Sequence, residues 1–165
     1  MADKITHEQV RTWLSLDYET GLFTRLITKG ARFKAGTIAT PLNKGDGYYR
    51  ICLDWRQYNY AHVVWFYIHG EWPKEIDHIN GNRSDNRPAN LRLATRDQNM
   101  AARKEYRKSK SGYRGVHQIA SGRFQAQISV AGRKRHIGVY ETAEEAHEAW
   151  KAAAAVLRGE FAEPY

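Results

Sequence analysis

Between Ile76 and Asn99 the chain leaves room only for very short elements. Ile76–Ile79 has strand length and is cut off by Asn80-Gly81-Asn82, residues that accept positive φ and so make a tight turn. Ser84 to Pro88 is a polar loop, and Leu91-Arg92-Leu93 is a second short strand. Thr95 then opens a helix, with Gln98 three residues on to complete a capping box. The order strand, loop, strand, helix confines this stretch to a small ββα unit.

That unit carries a distinctive set of side chains. Asp77 and His78 are adjacent just before the turn. Asn90 lies twelve residues after His78 and precedes the second strand; Asn99, nine further on, sits on the first turn of the helix. A neutral imidazole can take a proton from water near pH 7. Carboxylate and amide oxygens can hold a hard cation such as Mg²⁺ or Mn²⁺. These are the parts that hydrolysis of a phosphodiester with one divalent metal requires. Singly, each has an ordinary reading: a surface histidine, a loop aspartate, two capping asparagines. Their joint order and context favour the chemical reading.

The pieces AHVVWFYIHGEWP, DHINGN, SDNR and NLRLAT..QN, within residues 62–102, resemble the HNH nucleases of phages and mobile introns. The resemblance implies an HNH homing-type DNA endonuclease. His78 would be the general base, Asp77 and Asn99 the metal ligands, and Asn90 would hydrogen-bond within the His78 loop and fix the ring. It also implies one Mg²⁺ (or Mn²⁺) per site and 5′-phosphate and 3′-hydroxyl ends. His62 is read as a packed or capping histidine with a supporting role left open, and His69 as a helix-end histidine. Arg83, Arg87 and Arg92 would either touch phosphate or pair with Asp85 and Asp97.

Upstream, Thr6 can cap a helix over Ile5–Leu16, with Val10, Trp13 and Leu14 on one face. Short runs follow at Leu22–Leu26, Gly36–Ala39, Tyr48–Leu53 and Gln57–Tyr60, broken by Glu19-Thr20-Gly21 and by residues 44–47. They read as a small antiparallel sheet with no chemistry of its own. His62 to His69 is a strongly apolar helix ending near Gly70.

Charge divides the chain. The 165 residues carry 26 Lys or Arg against 18 Asp or Glu, a formal +8. From Ala101 to Arg135 ten basic residues face one acid, Glu105, a local +9. Such an excess suits a polyanion, because each phosphate contact releases counterions. One cysteine, Cys52, rules out an internal disulfide and a Cys-type zinc site, and it reads as a small strand residue. No run approaches 18 apolar residues and the N-terminus has no signal-like region, so a cytoplasmic protein is expected.

Residues 103–111 read as a basic linker. Beyond it, Phe124, Ala126, Ile128 and Val130 alternate with Gln125, Gln127 and Ser129, and Gly122 and Gly132 mark hairpins. Thr142 and Glu145 form a capping box for a helix to about Arg158, with Ala146, Ala149, Trp150, Ala153 and Leu157 on one face and Gly159 at its end. The pieces YRGV, GRF.A.I, IGVY.TAEEA and AA..LRGEFA, spanning residues 113–162, resemble the APETALA2/ethylene-response-factor DNA-binding domain. That resemblance implies a three-stranded sheet laid in a major groove. Its polar face would show Arg114, His117, Arg123, Gln127, Ser129, Lys134 and His136. Plant domains carry more Arg and Trp here, so sequence preference does not transfer.

The expected class is α+β. A small antiparallel sheet leads into a ββα metal core within residues 1–102 (core 60–102). A linker covers 103–111 and a three-stranded sheet on one helix covers 112–165. The expected partner is double-stranded DNA, with no membrane, acting as a monomer that nicks or a weak homodimer that cuts both strands. The competing readings are a non-catalytic DNA-binding regulator with a relic nuclease fold, and an RNA-binding protein. The intact Asp77, His78, Asn90 and Asn99 argue against the first. The deep, narrow major groove of RNA argues against the second.

Overall fold

The computed structural model describes residues 5–43, 45–102 and 111–162. They fall into two compact units, Met1–Leu93 and Ala94–Tyr165. Both are mixtures of short helices and small antiparallel sheets, so the fold is α+β.

In the first unit Thr6 caps α1 (His7–Trp13) through a capping box shared with Gln9. The expected continuation to Leu16 does not occur. Leu14-Ser15-Leu16 is buried, exposed, buried, which is the period of a strand, and it forms β1 (Leu14–Leu16). β1 pairs antiparallel with β2 (Phe23–Arg25). The run Gly36–Ala39 is bonded alongside β2, through Arg25 N to Thr37 O and Ala39 N to Phe23 O, yet forms only an isolated bridge. β3 (Leu42–Asn43), β4 (Tyr49–Leu53) and β5 (Arg56–Asn59) make a separate three-stranded sheet in that order. Cys52 lies half-buried in β4.

α2 (Tyr60–His69) starts two residues before His62 because the Asn59 side chain accepts the His62 N–H. It ends on Gly70 at φ 75°. The helix fills the core of this unit. Tyr60, Val63 and Val64 are fully buried with Val10, Leu14, Phe23 and Ile51, and the Tyr60 hydroxyl accepts the Phe23 N–H at 2.8 Å. Trp72, just past the helix, stacks on Phe66 with ring centroids 4.2 Å apart. β6 (Ile76–His78) then pairs antiparallel with β7 (Leu91–Leu93), which follows a 3-10 turn at Pro88–Asn90.

The second unit begins with α3 (Arg96–Ala102), capped by the Thr95–Gln98 box. The expected linker falls outside the described residues except for Ser111. β8 (Val116–Gln118), β9 (Phe124–Val130) and β10 (Arg133–Tyr140) form an antiparallel sheet with β9 at its centre. α4 (Ala143–Arg158) carries the Thr142–Glu145 capping box. Its buried stripe is Ala143, Ala146, Trp150 and Ala154, which meet Val116, Ala126 and Ile128. Leu157, expected on that stripe, falls on the same face by helical spacing, three residues after Ala154, yet is exposed. Among the described residues no helix is long and apolar enough to cross a membrane.

Candidate active site

β6 presents Asp77 and His78, and both side chains are buried, at 8% and 5% relative exposure. Asp77 stands opposite Arg92 in the β6–β7 ladder. Arg92 Nε donates to Asp77 Oδ2 at 2.8 Å and Nη2 lies 2.7 Å from the same oxygen. Arg92 is thus paired with this carboxylate. Arg87 does pair with Asp85, through Nε at 2.8 Å and Nη2 at 2.7 Å. Those hydrogen bonds hold the Asp85 carboxyl down to about 2.

The loop between the two strands is tied by asparagines. Asn90 Oδ1 accepts the Asn80 N–H at 3.0 Å, and its Nδ2 donates to Asp85 O at 2.8 Å. Ile79 N donates to Asn90 O and Gly81 N to His78 O, which closes the turn after the histidine. Asn90 thus bonds the loop backbone around His78, while the bond to the ring itself is made from elsewhere in the loop. That bond comes from Asn86, whose Oδ1 lies 3.3 Å from His78 Nε2. Asn86 Nδ2 donates to Ser84 O at 3.3 Å, so the amide presents its oxygen to the ring. An amide oxygen only accepts, which assigns the proton to Nε2 and leaves Nδ1 as the basic nitrogen.

Burial pushes the His78 imidazole below its usual value. The Asn86 bond and the charges of Asp77 and Asp85 oppose this, while Arg83 adds to it. The ring is therefore neutral at pH 7, the state a general base needs. His62 is depressed mainly by burial as well, with Glu75 pulling up and His78 pushing down. His62 thus lies within electrostatic reach of His78. His69 is the last residue of α2 and stacks on Trp65 at 4.1 Å.

Two segments of the first sixty residues also reach this place. The Tyr48 ring centroid is 6.4 Å from that of His78. The turn after β1 approaches Asn86 closely. Gly21 sits at φ +70°, and a Cβ there would lie 2.5 Å from Asn86 C and 2.6 Å from Arg87 N. Neither Asn86 nor Tyr48 stood out in the sequence. Asn86 is masked by its place in a polar loop full of turn residues. Nothing local marks Tyr48, because its contact spans thirty positions of chain.

The carboxylate of Asp77 is the kind of donor that a hard divalent cation takes. Among the described residues, no group of three or more His, Cys, Asp and Glu is gathered for a metal. Asn99 lies in α3, in the second unit, where its N–H bonds Thr95 O.

In the second unit the ladder sorts the expected DNA-facing residues. Lys134 pairs with Ser129, His136 with Gln127, and His117 with Gln125, all on the face opposite Ala126 and Ile128. Arg123 belongs to the same alternation and lies 3.8 Å from Glu141. His136 Nδ1 and Gln125 Nε2 are 2.8 Å apart, so Gln125 joins this face. Arg114 does not. Its guanidinium stacks 5.3 Å over Trp150, on the helix side. The left-handed Gly115, at φ +72°, breaks the alternation just before β8.

Residues 59–101 match the family model described as HNH endonuclease. The span takes in Asp77, His78, Asn86, Asn90 and Asn99. The chain is also 36% identical over 100 residues to a protein of Acanthamoeba polyphaga mimivirus named as an uncharacterized HNH endonuclease. That alignment covers 59% of this chain and 51% of the relative, so the chain spans about half the length of the curated relative it matches.

Proposed function

We propose that this chain is a metal-dependent DNA endonuclease of the HNH homing type, hydrolysing phosphodiester bonds. The observation that carries the reading is the His78 ring. It is buried beside Asp77, anchored at Nε2 by Asn86, and held neutral with Nδ1 as its basic nitrogen. Within this reading His78 Nδ1 takes a proton from the attacking water as its oxygen bonds to phosphorus; the P–O3′ bond breaks in line and the departing 3′ oxygen takes a proton from solvent, leaving 5′-phosphate and 3′-hydroxyl ends. Asn86 keeps the ring from rotating and keeps the proton on Nε2. Asn90 keeps the turn after His78 in place. Arg92 fixes the Asp77 carboxylate. Asp77 and Asn99 would each offer an oxygen to a hard cation, Mg²⁺ or Mn²⁺, which would stabilise charge developing on the phosphate.

Residues 112–165 act as the DNA-recognition module, in the manner of an APETALA2-like sheet. His117, Arg123, Gln127, Ser129, Lys134 and His136 meet double-stranded DNA across the exposed face. The basic segment 103–111 adds phosphate contacts. The chain works in the cytoplasm of its host cell, as a nicking monomer or as a weak dimer cutting both strands.

Incubation of the full chain with supercoiled plasmid and Mg²⁺, with EDTA as control, tests the reading. Open-circle or linear product that EDTA abolishes is expected. Uncut plasmid with both Mg²⁺ and Mn²⁺ overturns it and leaves the DNA-binding regulator.

A further inference from the structure

Four arginines surround the loops of the candidate site, and three of them are committed to carboxylates. Arg92 is held on Asp77, Arg87 on Asp85, and Arg50 on Asp46. Arg83 is the exception among the described residues. It is exposed, its Nη1 donates to the Asp46 carbonyl at 3.2 Å, and its guanidinium lies 4.8 Å from the centroid of the Tyr48 ring. The Asp46 carboxylate is no partner for it, because Arg50 takes Oδ2 at 2.6 Å and Oδ1 at 3.2 Å, and the Tyr48 N–H also bonds Oδ1.

We propose that Arg83, seated on Tyr48, binds a backbone phosphate of the nucleic acid at the cleavage site, so that the turn between β3 and β4 is part of the active site. The inference rests on the nuclease reading above and extends it to residues before position 59, where the family match begins. Three features carry it. Tyr48 neighbours both groups, with its ring 6.4 Å from His78 on centroids and 4.8 Å from Arg83. A strand that brings one phosphate to His78 therefore passes the guanidinium. The guanidinium lies against the ring while the Arg83 residue stays exposed, and a guanidinium edge matches two phosphate oxygens. Of its five N–H donors, one is spent on a backbone carbonyl. The backbone that carries the ring is itself tied down: Asn43 Oδ1 accepts the Gly45 N–H, and Asp46 Oδ1 accepts from Tyr48 N and Arg50 Nη1.

Arg83 would be a binding residue and Tyr48 a positioning residue. The test uses the full chain with Arg83→Ala, Arg83→Lys, Tyr48→Phe and Tyr48→Ala. Binding to a random-sequence duplex is measured at several salt concentrations, beside plasmid cleavage with Mg²⁺ and thermal melting. Arg83→Ala is expected to raise KM and to flatten the slope of log affinity against log salt by about 0.9, the effect of one lost phosphate contact. Arg83→Lys restores the slope but not the full affinity. Tyr48→Phe behaves as wild type because the ring, not the hydroxyl, supports the guanidinium; Tyr48→Ala falls between. An unchanged slope and unchanged KM in Arg83→Ala overturn the proposal. So does a lower melting temperature with an unchanged slope, which makes the pair a structural staple. If the wild-type chain leaves plasmid uncut, the nuclease reading falls, and the salt slope alone still decides whether Arg83 holds a phosphate.

Discussion

The two units spend their polar side chains in opposite directions. In the first, Asp77, His78, Asn86 and Asn90 are at most 8% exposed and are bonded into the strands and loop around them. In the second, Ser129, Lys134 and His136 stand on an exposed sheet face with few mutual bonds, the Gln125–His136 contact among them. A buried cluster cannot lose a member without stranding its partner, which costs about 1–3 kcal/mol for a neutral group. An exposed face can lose one with little effect on folding. The first arrangement suits a reaction, where one ring must hold one orientation. The second suits a long polymer whose sequence varies beneath it.

The largest expected difference lies at His78. His78→Ala should lower plasmid cleavage by about 10²–10⁴-fold, the usual value of a general base, while duplex affinity stays within twofold or so. A variant cutting at more than half the native rate removes His78 from the chemistry and dissolves the contrast. The pH profile sharpens the same point. Burial holds His78 below its unfolded value near 6.5, so the basic form persists as pH falls through that value. The acid limb of kcat/KM should therefore lie below 6.5; a limb above it contradicts a ring kept neutral by burial. Stability runs with the same sign. Between the unfolded and folded values the unfolded chain takes up the proton first, so stability is lost as pH falls through that window.

Asn86→Ala should cost about 10–100-fold in rate, as loss of a group that orients a functional histidine does, with modest change in KM. A rate equal to wild type would return the ring-fixing role to another residue. Asp77→Asn and Asn99→Ala should shift the Mg²⁺ or Mn²⁺ dependence of cleavage to higher concentration by about tenfold or more. Asparagine is chosen at 77 because it keeps an oxygen where Arg92 donates, which alanine would remove. Identical metal-dependence curves for both variants would remove them as ligands.

On the second unit the effects should be smaller and differently shaped. Lys134→Ala should flatten the salt slope by about 0.9 on every duplex, whereas Gln127→Ala should cost about 1–3 kcal/mol on a preferred site and little on random DNA. Cleavage chemistry once bound should not change in either. A drop in the single-turnover rate at saturating DNA would break the division between the two units. Smallest is Thr142→Ala, which removes one half of the α4 capping box and should cost about 1 kcal/mol in the melting of the second unit, with no change in rate.

Much of this was legible in the sequence where the signal was local. The β6 and β7 strands, the two capping boxes at Thr95 and Thr142, and the alternation of β9 all depend on residues a few positions apart. What failed or stayed hidden depends on distant partners. Leu14-Ser15-Leu16 fits a helix until its pairing with Phe23–Arg25 imposes the strand period. Arg114 follows the polar pattern of the sheet, but the left-handed Gly115 turns it toward Trp150. In the site, Asp77 and His78 are readable because they are adjacent. Arg92 as the partner of Asp77 follows only once the strand register is known. Asn86 carries the ring bond from within a run of look-alike turn residues.

Gly21 has a consequence for genetics. Its missing side chain is what lets the turn after β1 rest on the main chain of Asn86 and Arg87. Any other residue adds a carbon at 2.5 Å from that backbone and must push it aside, at a site already held at φ +70°. In a screen for loss of cutting, an allele at position 21 would therefore group with alleles at 78 and 86, although it lies 57 codons before the histidine. Suppressors of such an allele would be found in the loop that carries Asn86 rather than near the lesion itself.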